Sequence, residues 1–202
     1  MFDVLMRNYI ILDTETTGLD PVACDLLEIC ALRVINDEAV DNCSVLVKPR
    51  KPIPMRATSI NGITNDMVAS AEQLSPALDK IRKYIGSNII VGHNIGFDMS
   101  FINQNTQQFL GLRCIDTKVL AKIILGEQFV GGFSQANLES YYKIDNHSKH
   151  RAFGDCMALY HIINALKNDF MSKQDSVSID DLLKSLLTNN TKVKSNYNAV
   201  II

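Results

Sequence analysis

No apolar run in this 202-residue chain approaches the length needed to cross a membrane. Near its start, Tyr9-Ile10-Ile11-Leu12 is cut off by Asp13, which leaves too short a stretch for the core of a signal peptide. Net charge is almost absent as well: 20 Lys and Arg against 22 Asp and Glu leave −2. That balance counts against a non-specific nucleic-acid coat, whose affinity rests on many cations touching phosphate. An enzyme that holds an anionic substrate through metal ions needs far fewer. The five cysteines (Cys24, Cys30, Cys43, Cys114, Cys156) are odd in number and show no CxxC spacing. They make neither a zinc knuckle nor a disulfide framework, and scattered thiols suit a reducing cytosol. The expectation is a soluble, cytoplasmic protein with no membrane partner. Internal repeats and low-complexity tracts are missing too. What is present is a globular composition, 47% hydrophobic, in a length that buries a core without disulfides or structural metal.

Residues 1–170 read as one α/β domain. Tyr9–Leu12 is a compact buried strand. Leu27–Ile35 and Ser44–Val47 form a hairpin around Asn36-Asp37-Glu38. Prolines at 49, 52 and 54 exclude regular structure over Lys48–Pro54. Thr64 is a helix N-cap, and Leu74, Leu78, Ile81 and Ile85 recur at helical spacing up to Gly86. Strands at Asn88–Gly92 and Arg113–Asp116 alternate with helices at Phe97–Leu110, Thr117–Leu125, Ser134–Tyr142 and Phe153–Leu166, with Gly131-Gly132 in a loop. A strand meander followed by alternating strands and helices predicts a mixed, mostly parallel sheet of about five strands, one antiparallel, flanked by helices. Residues 171–202 form a loosely connected appendage. Within it, Ile179–Leu187 has the pattern of an amphipathic helix, which either packs back onto its own domain or docks elsewhere.

Candidate chemistry lies in the acids. Asp13-Thr14-Glu15 ends the first apolar strand, and strand residues two apart share a face, so both carboxylates project side by side. Each disfavours ionisation of the other, a cost that a divalent cation removes. Alone, the pattern fits a pair of solvated acids leaving a strand equally well. Asp98, one turn into the helix after Asn88–Gly92, and Asp155, opening the last long helix, are individually uninformative because acids favour helix N-termini. Together the acids follow strands or open helices, where α/β sheets gather ligands, and four of them suit a pair of hard ions. His150 precedes Asp155 by five residues, and five residues on a helix turn through about 500°, so the two would not share a helical face. His150 is therefore placed on the loop leading into the helix, able to swing over the acids and take a proton from water. A surface histidine in the polar stretch Asn146–Arg151 is the plain alternative. His147 and His150 lack a third nitrogen or sulfur ligand for a zinc site.

Ile11-Leu12-Asp13-Thr14-Glu15-Thr16-Thr17-Gly18-Leu19 resembles the first motif of the DEDD exonucleases. Val91-Gly92-His93-Asn94-Ile95-Gly96-Phe97-Asp98 resembles the second, and His150-Arg151-Ala152-Phe153-Gly154-Asp155 the third in its histidine form, which defines the DEDDh branch. The resemblance spans about residues 8–168 and implies a ribonuclease-H-like fold and 3′→5′ exonuclease activity. It also implies two divalent cations, Mg²⁺ or Mn²⁺, held by Asp13, Glu15, Asp155 and Asp98, with Asp13 bridging both ions and His150 as general base. Thr14, Thr16 and Leu19 match positions that contact the terminal nucleotide in relatives, and Asn94 and Phe97 of the second motif join them as substrate-binding candidates, although Leu19 and Phe97 serve equally well as packing residues. Asn61 departs from the branch, where histidine is frequent in the loop Asn61-Gly62-Ile63-Thr64. DNA is favoured over RNA as the implied substrate, with an exoribonuclease and a catalytically silent binding module as the alternatives. Proofreading or repair is the implied setting. Since these residues contain no polymerase module, a polymerase partner would act in trans.

Overall fold

The computed structural model describes residues 8–126 and 129–172, and so leaves most of the expected appendage, including Ile179–Leu187, outside the described residues. Strand β1 (Asn8–Thr16) is followed by β2 (Leu26–Ile35) and β3 (Glu38–Leu46). Helices α1 (Met55–Asn61), α2 (Asn65–Val68) and α3 (Leu74–Ile85) lead to β4 (Ile89–Gly92). Then come α4 (Gly96–Asn105), β5 (Cys114–Asp116), α5 (Thr117–Leu125), α6 (Gln135–Tyr142) and α7 (Ala152–Ser172). The sheet order is β3-β2-β1-β4-β5. β2 pairs antiparallel with β1 and β3, while β4 runs parallel to β1 and β5 parallel to β4. One antiparallel strand in an otherwise parallel sheet is the arrangement expected.

β1 is apolar on both faces because each is covered. Tyr9 and Ile11 join one core layer with Leu159, Ile162, Ile163 and Leu166 of α7 and residues of α5 and α6. Ile10 and Leu12 join the opposite layer with Leu78 and Ile81 of α3 and Phe101 of α4. A strand buried on both sides reads as a continuous apolar run, and each fully buried aliphatic side chain contributes about 1.5–3 kcal/mol. The β2–β3 hairpin turns through Asn36 and Asp37 with φ of 50° and 67°, the left-handed pair that a two-residue hairpin needs. Its tip is tied to α7, where the Tyr160 hydroxyl donates to the Asp37 carbonyl at 2.9 Å and Lys167 pairs with the Asp37 carboxylate.

Three helices differ from the expectation. Met55–Asn61 is helical although it follows the proline-rich segment. Pro54 supplies no side-chain cap, and the helix is held by burial of Ala57 and Asn61 and ended by Gly62 at φ 70°. The helix expected over Phe97–Leu110 ends at Asn105, where Thr106 is extended at φ −157°. Phe109, whose spacing continues the helical pattern, is instead buried from the following turn. The last helix, expected over Phe153–Leu166, continues to Ser172 and buries Phe170.

Candidate active site

Side-chain alternation along β1 distributes the first motif. Asp13 and Glu15 continue the Tyr9–Ile11 face toward α7, and Thr14 continues the Ile10–Leu12 face toward α4. Carboxylate oxygens of Asp13, Glu15 and Asp155 accordingly lie within 4.8 Å of one another. On the other side the Thr14 hydroxyl donates to Asp98 Oδ1 at 2.7 Å, and both residues are buried. Burial, then repulsion from Asp98, Asp155 and Glu15, holds the Asp13 carboxyl well above the usual carboxylate range. Burial and the neighbouring Asp155 push Glu15 up to about 8. Asp98 is pushed up to about 7 by burial, against the lowering effect of the Thr14 hydroxyl. Burial also raises Asp155, opposed by its bond from Asn146. A divalent cation relieves both causes, and an all-oxygen donor set is what hard cations take. The cluster fits divalent metal.

The third motif is built as one piece with the loop before it. Asp155 stands in the first turn of α7, and its carboxylate turns back: Oδ2 accepts the His150 backbone N–H at 3.1 Å and Oδ1 accepts Asn146 Nδ2 at 2.8 Å. His150 lies on the loop as expected, exposed, with φ 59°, a left-handed conformation that costs a non-glycine residue about 1–2 kcal/mol. Its neighbour Arg151 secures the loop to the sheet. Nε and Nη2 reach the buried Glu28 of β2 at 3.0 and 2.8 Å, and the Ala152 N–H adds a third bond at 3.1 Å. Gly154 permits the close approach, since a Cβ there would lie 2.4 Å from the Ser148 carbonyl oxygen. Sequence reading missed Glu28 and Asn146. The signal for Glu28 was a lone acid inside the apolar strand Leu26–Ile35, a residue that a buried position tolerates only with a partner.

Beside the carboxylates lies a cleft of about 630 Å³, walled by Thr14–Leu19 on one side, by Pro54, Arg56, Ala57, Ile60 and Asn61 on another, and by Phe97. Four of the five expected substrate-contacting residues therefore line it: Thr14, Thr16, Leu19 and Phe97. Leu19 is 84% exposed at the rim and packs into no core. The hydroxyls of Thr14 and Thr16 are engaged within the protein, Thr16 donating to the Gly18 carbonyl at 2.6 Å. Asn94 is not among the lining residues. It is exposed at φ 59°, and its N–H donates to Asp116 Oδ1 at 2.9 Å, which fixes the turn between β4 and α4. His93 belongs to the scaffold: its Nε2 pairs with the Phe133 carbonyl at 2.9 Å, its Nδ1 with the Thr117 hydroxyl at 3.1 Å, and burial lowers its pKa. Asn61 is buried against the first motif, with Nδ2 3.4 Å from the Thr16 carbonyl and Oδ1 accepting the Ile63 N–H.

Residues 10–163 match the RNase_T exonuclease family. The chain belongs to that family. Its family is one of exonucleases, and its carboxylate cluster is of the kind that holds divalent metal ions. Among curated relatives, the PolC-type DNA polymerase III of Latilactobacillus sakei is 28% identical over 178 residues, covering 87% of this chain. A DNA polymerase III subunit epsilon-like protein of Rhodobacter capsulatus is 30% identical over 159 residues, covering 75%. This exonuclease chain spans 12% of the former's length and 22% of the latter's. Among solved structures, Exonuclease X in complex with 5′ overhanging duplex DNA is 30% identical with a TM-score of 0.64, covering 79% of this chain and 91% of that one.

Proposed function

We propose that the protein hydrolyses DNA from its 3′ end and releases nucleoside monophosphates, with two divalent cations, Mg²⁺ or Mn²⁺, held by Asp13, Glu15 and Asp155 and completed by Asp98. The observation that carries this reading is the convergence of the Asp13, Glu15 and Asp155 oxygens beside an open cleft, with His150 on a loop bonded to one of those same carboxylates. Bound cations supply charge neutralisation at the scissile phosphate and a nucleophile available at neutral pH. The protein supplies the rest. The cleft seats the terminal nucleotide against Leu19, Ile60 and Phe97. From its exposed position, the His150 imidazole takes the proton of the attacking water as the new P–O bond forms and the bond to the leaving 3′ oxygen breaks. DNA as substrate is supported by the polymerase relatives and by the DNA-bound Exonuclease X. Proofreading or repair, in trans with a polymerase, is the setting these relatives favour.

Digestion of 5′-labelled DNA and RNA oligonucleotides with Mg²⁺, Mn²⁺ or EDTA tests the proposal. Stepwise shortening of the DNA, abolished by EDTA and by Asp13→Ala, is the expected result. Faster shortening of RNA would reassign the substrate. If neither polymer were cut with either metal, the enzyme reading would give way to a silent binding module.

A further inference from the structure

The sequence reading assigned no role to Glu139, a carboxylate on α6 that is only 3% exposed. It touches none of the three clustered acids, yet it organises what does. Oε1 accepts from Asn146 Nδ2 at 3.2 Å and from Gln135 Nε2 at 3.3 Å, and Oε2 ion-pairs with Lys149 at 3.1 Å. The same Asn146 Nδ2 donates to Asp155 Oδ1 at 2.8 Å, and the same Gln135 Nε2 donates to the Asp155 carbonyl at 3.1 Å.

An amide can rotate to present either its oxygen or its NH₂ group, and an ionised carboxylate only accepts. Glu139 therefore admits only the NH₂ end of Asn146, and the second hydrogen of that NH₂ is left to face Asp155. The Asn146 oxygen is turned away, where it accepts the Ser148 N–H at 3.2 Å. Without an acceptor at position 139 that NH₂ group loses one of its two acceptors, and only Asp155 and the Ser148 N–H still hold the amide. Lys149 carries the same restraint to the residue beside His150.

We propose that Glu139 is a positioning residue: by orienting Asn146 and Lys149 it fixes the Asp155 carboxylate and the His150 loop in one geometry. The inference rests on the reading of Asp155 as a metal ligand and His150 as the base. The orienting partners of a metal ligand typically govern its affinity by about 10–100-fold.

Glu139→Leu separates positioning from packing. Removing one partner of a buried ionic contact costs stability, although the half-exposed Lys149 can turn to solvent, so a purely structural Glu139 predicts a less stable protein whose folded form keeps its activity. Positioning predicts calorimetric Mn²⁺ affinity for the metal-free protein weakened by about 10–100-fold, with a comparable loss in kcat and a KM for DNA moved by less than about twofold. Glu139→Gln, which keeps an acceptor oxygen for Asn146, recovers Mn²⁺ affinity to within about threefold of the natural protein. Should leucine unfold the domain, Glu139→Met keeps the length of the side chain without its acceptors, and the same loss of Mn²⁺ affinity is expected. Natural Mn²⁺ affinity and kcat in a folded leucine or methionine variant overturns the positioning role. A natural protein that neither binds Mn²⁺ nor cuts DNA overturns the underlying metal-site reading instead.

Discussion

Asp13 and Glu15 occupy a costly place for a pair of anions: the end of a strand buried on both faces, facing a third carboxylate. Without metal, that cost favours the protonated forms of both groups. For Glu15 the folded pKa of about 8 lies above its ordinary 4.5. A raised folded pKa contributes stability that is complete below about 4.5 and lost as pH rises through about 8. Metal requires the ionised form, so cation binding and protonation compete over the same window. The Mn²⁺-induced rise in Tm, measured against EDTA, is therefore expected to grow steadily from pH 5.5 to 8.5. A rise independent of pH would mean that these carboxylates are not the ligands. Thr14, between the two acids in sequence, serves the opposite face, where its hydroxyl is the donor that offsets part of the burial cost of Asp98.

Between β2 and α7 the decisive element is the loop that carries His150. It follows α6 and is clamped at its end by the Glu28–Arg151 pair. It can lie on α7 only because Gly154 lacks a side chain. A methyl group at 154 would meet the Ser148 backbone at 2.4–2.9 Å, contacts that neither backbone can relieve without moving. Gly154→Ala is expected to cost about 1–3 kcal/mol, the range for overpacking a close contact. It should also lower kcat more than it raises KM, because the displaced loop holds His150 and the donors to Asp155 while the cleft lies elsewhere. Denaturant titration alongside steady-state kinetics checks both parts. An increase in KM alone would place the loop in substrate binding. The cleft wall α1 owes its helicity to the burial of Ala57 and Asn61, since it has no side-chain cap.

Taken whole, the molecule carries a net charge of −2, and Arg56 is the one cation among the residues that line the cleft. On the proposed reading, in which bound metal and few phosphate-neutralising side chains hold the strand end, salt dependence should be weak. For one or two phosphate contacts the slope of log KM for a short single strand against log salt is expected near 0.7–1.4, from about 0.7 per neutralised phosphate. A slope of several units would reveal a cationic track beyond the cleft. Among the described residues no helix is long and apolar enough to cross a membrane, and residues 10–163 account for the family match.

The reach of the sequence follows from the range of the forces it encodes. Strand alternation and apolar runs are local, so the face shared by Asp13 and Glu15, the helices of Thr117–Leu125 and Ser134–Tyr142, and the hairpin at Asn36–Asp37 could all be read from spacing and propensity. The three motifs, taken in order, likewise resemble the exonuclease family by their residues and spacing alone. Long-range partners could not be read. Thr14 meets Asp98 across 84 residues, Arg151 meets Glu28 across 123, and Glu139 reaches Asp155 only through Asn146. Nor could the helix at Met55–Asn61, or the early end of α4 at Thr106, whose apolar pattern runs on to Phe109. In each case the residue's state is set by what packs against it, and a buried polar group is tolerable only where the fold delivers a partner. The sequence by itself determined which carboxylates share a strand face and which motifs they belong to; the tertiary structure alone decided which neighbours stand against them.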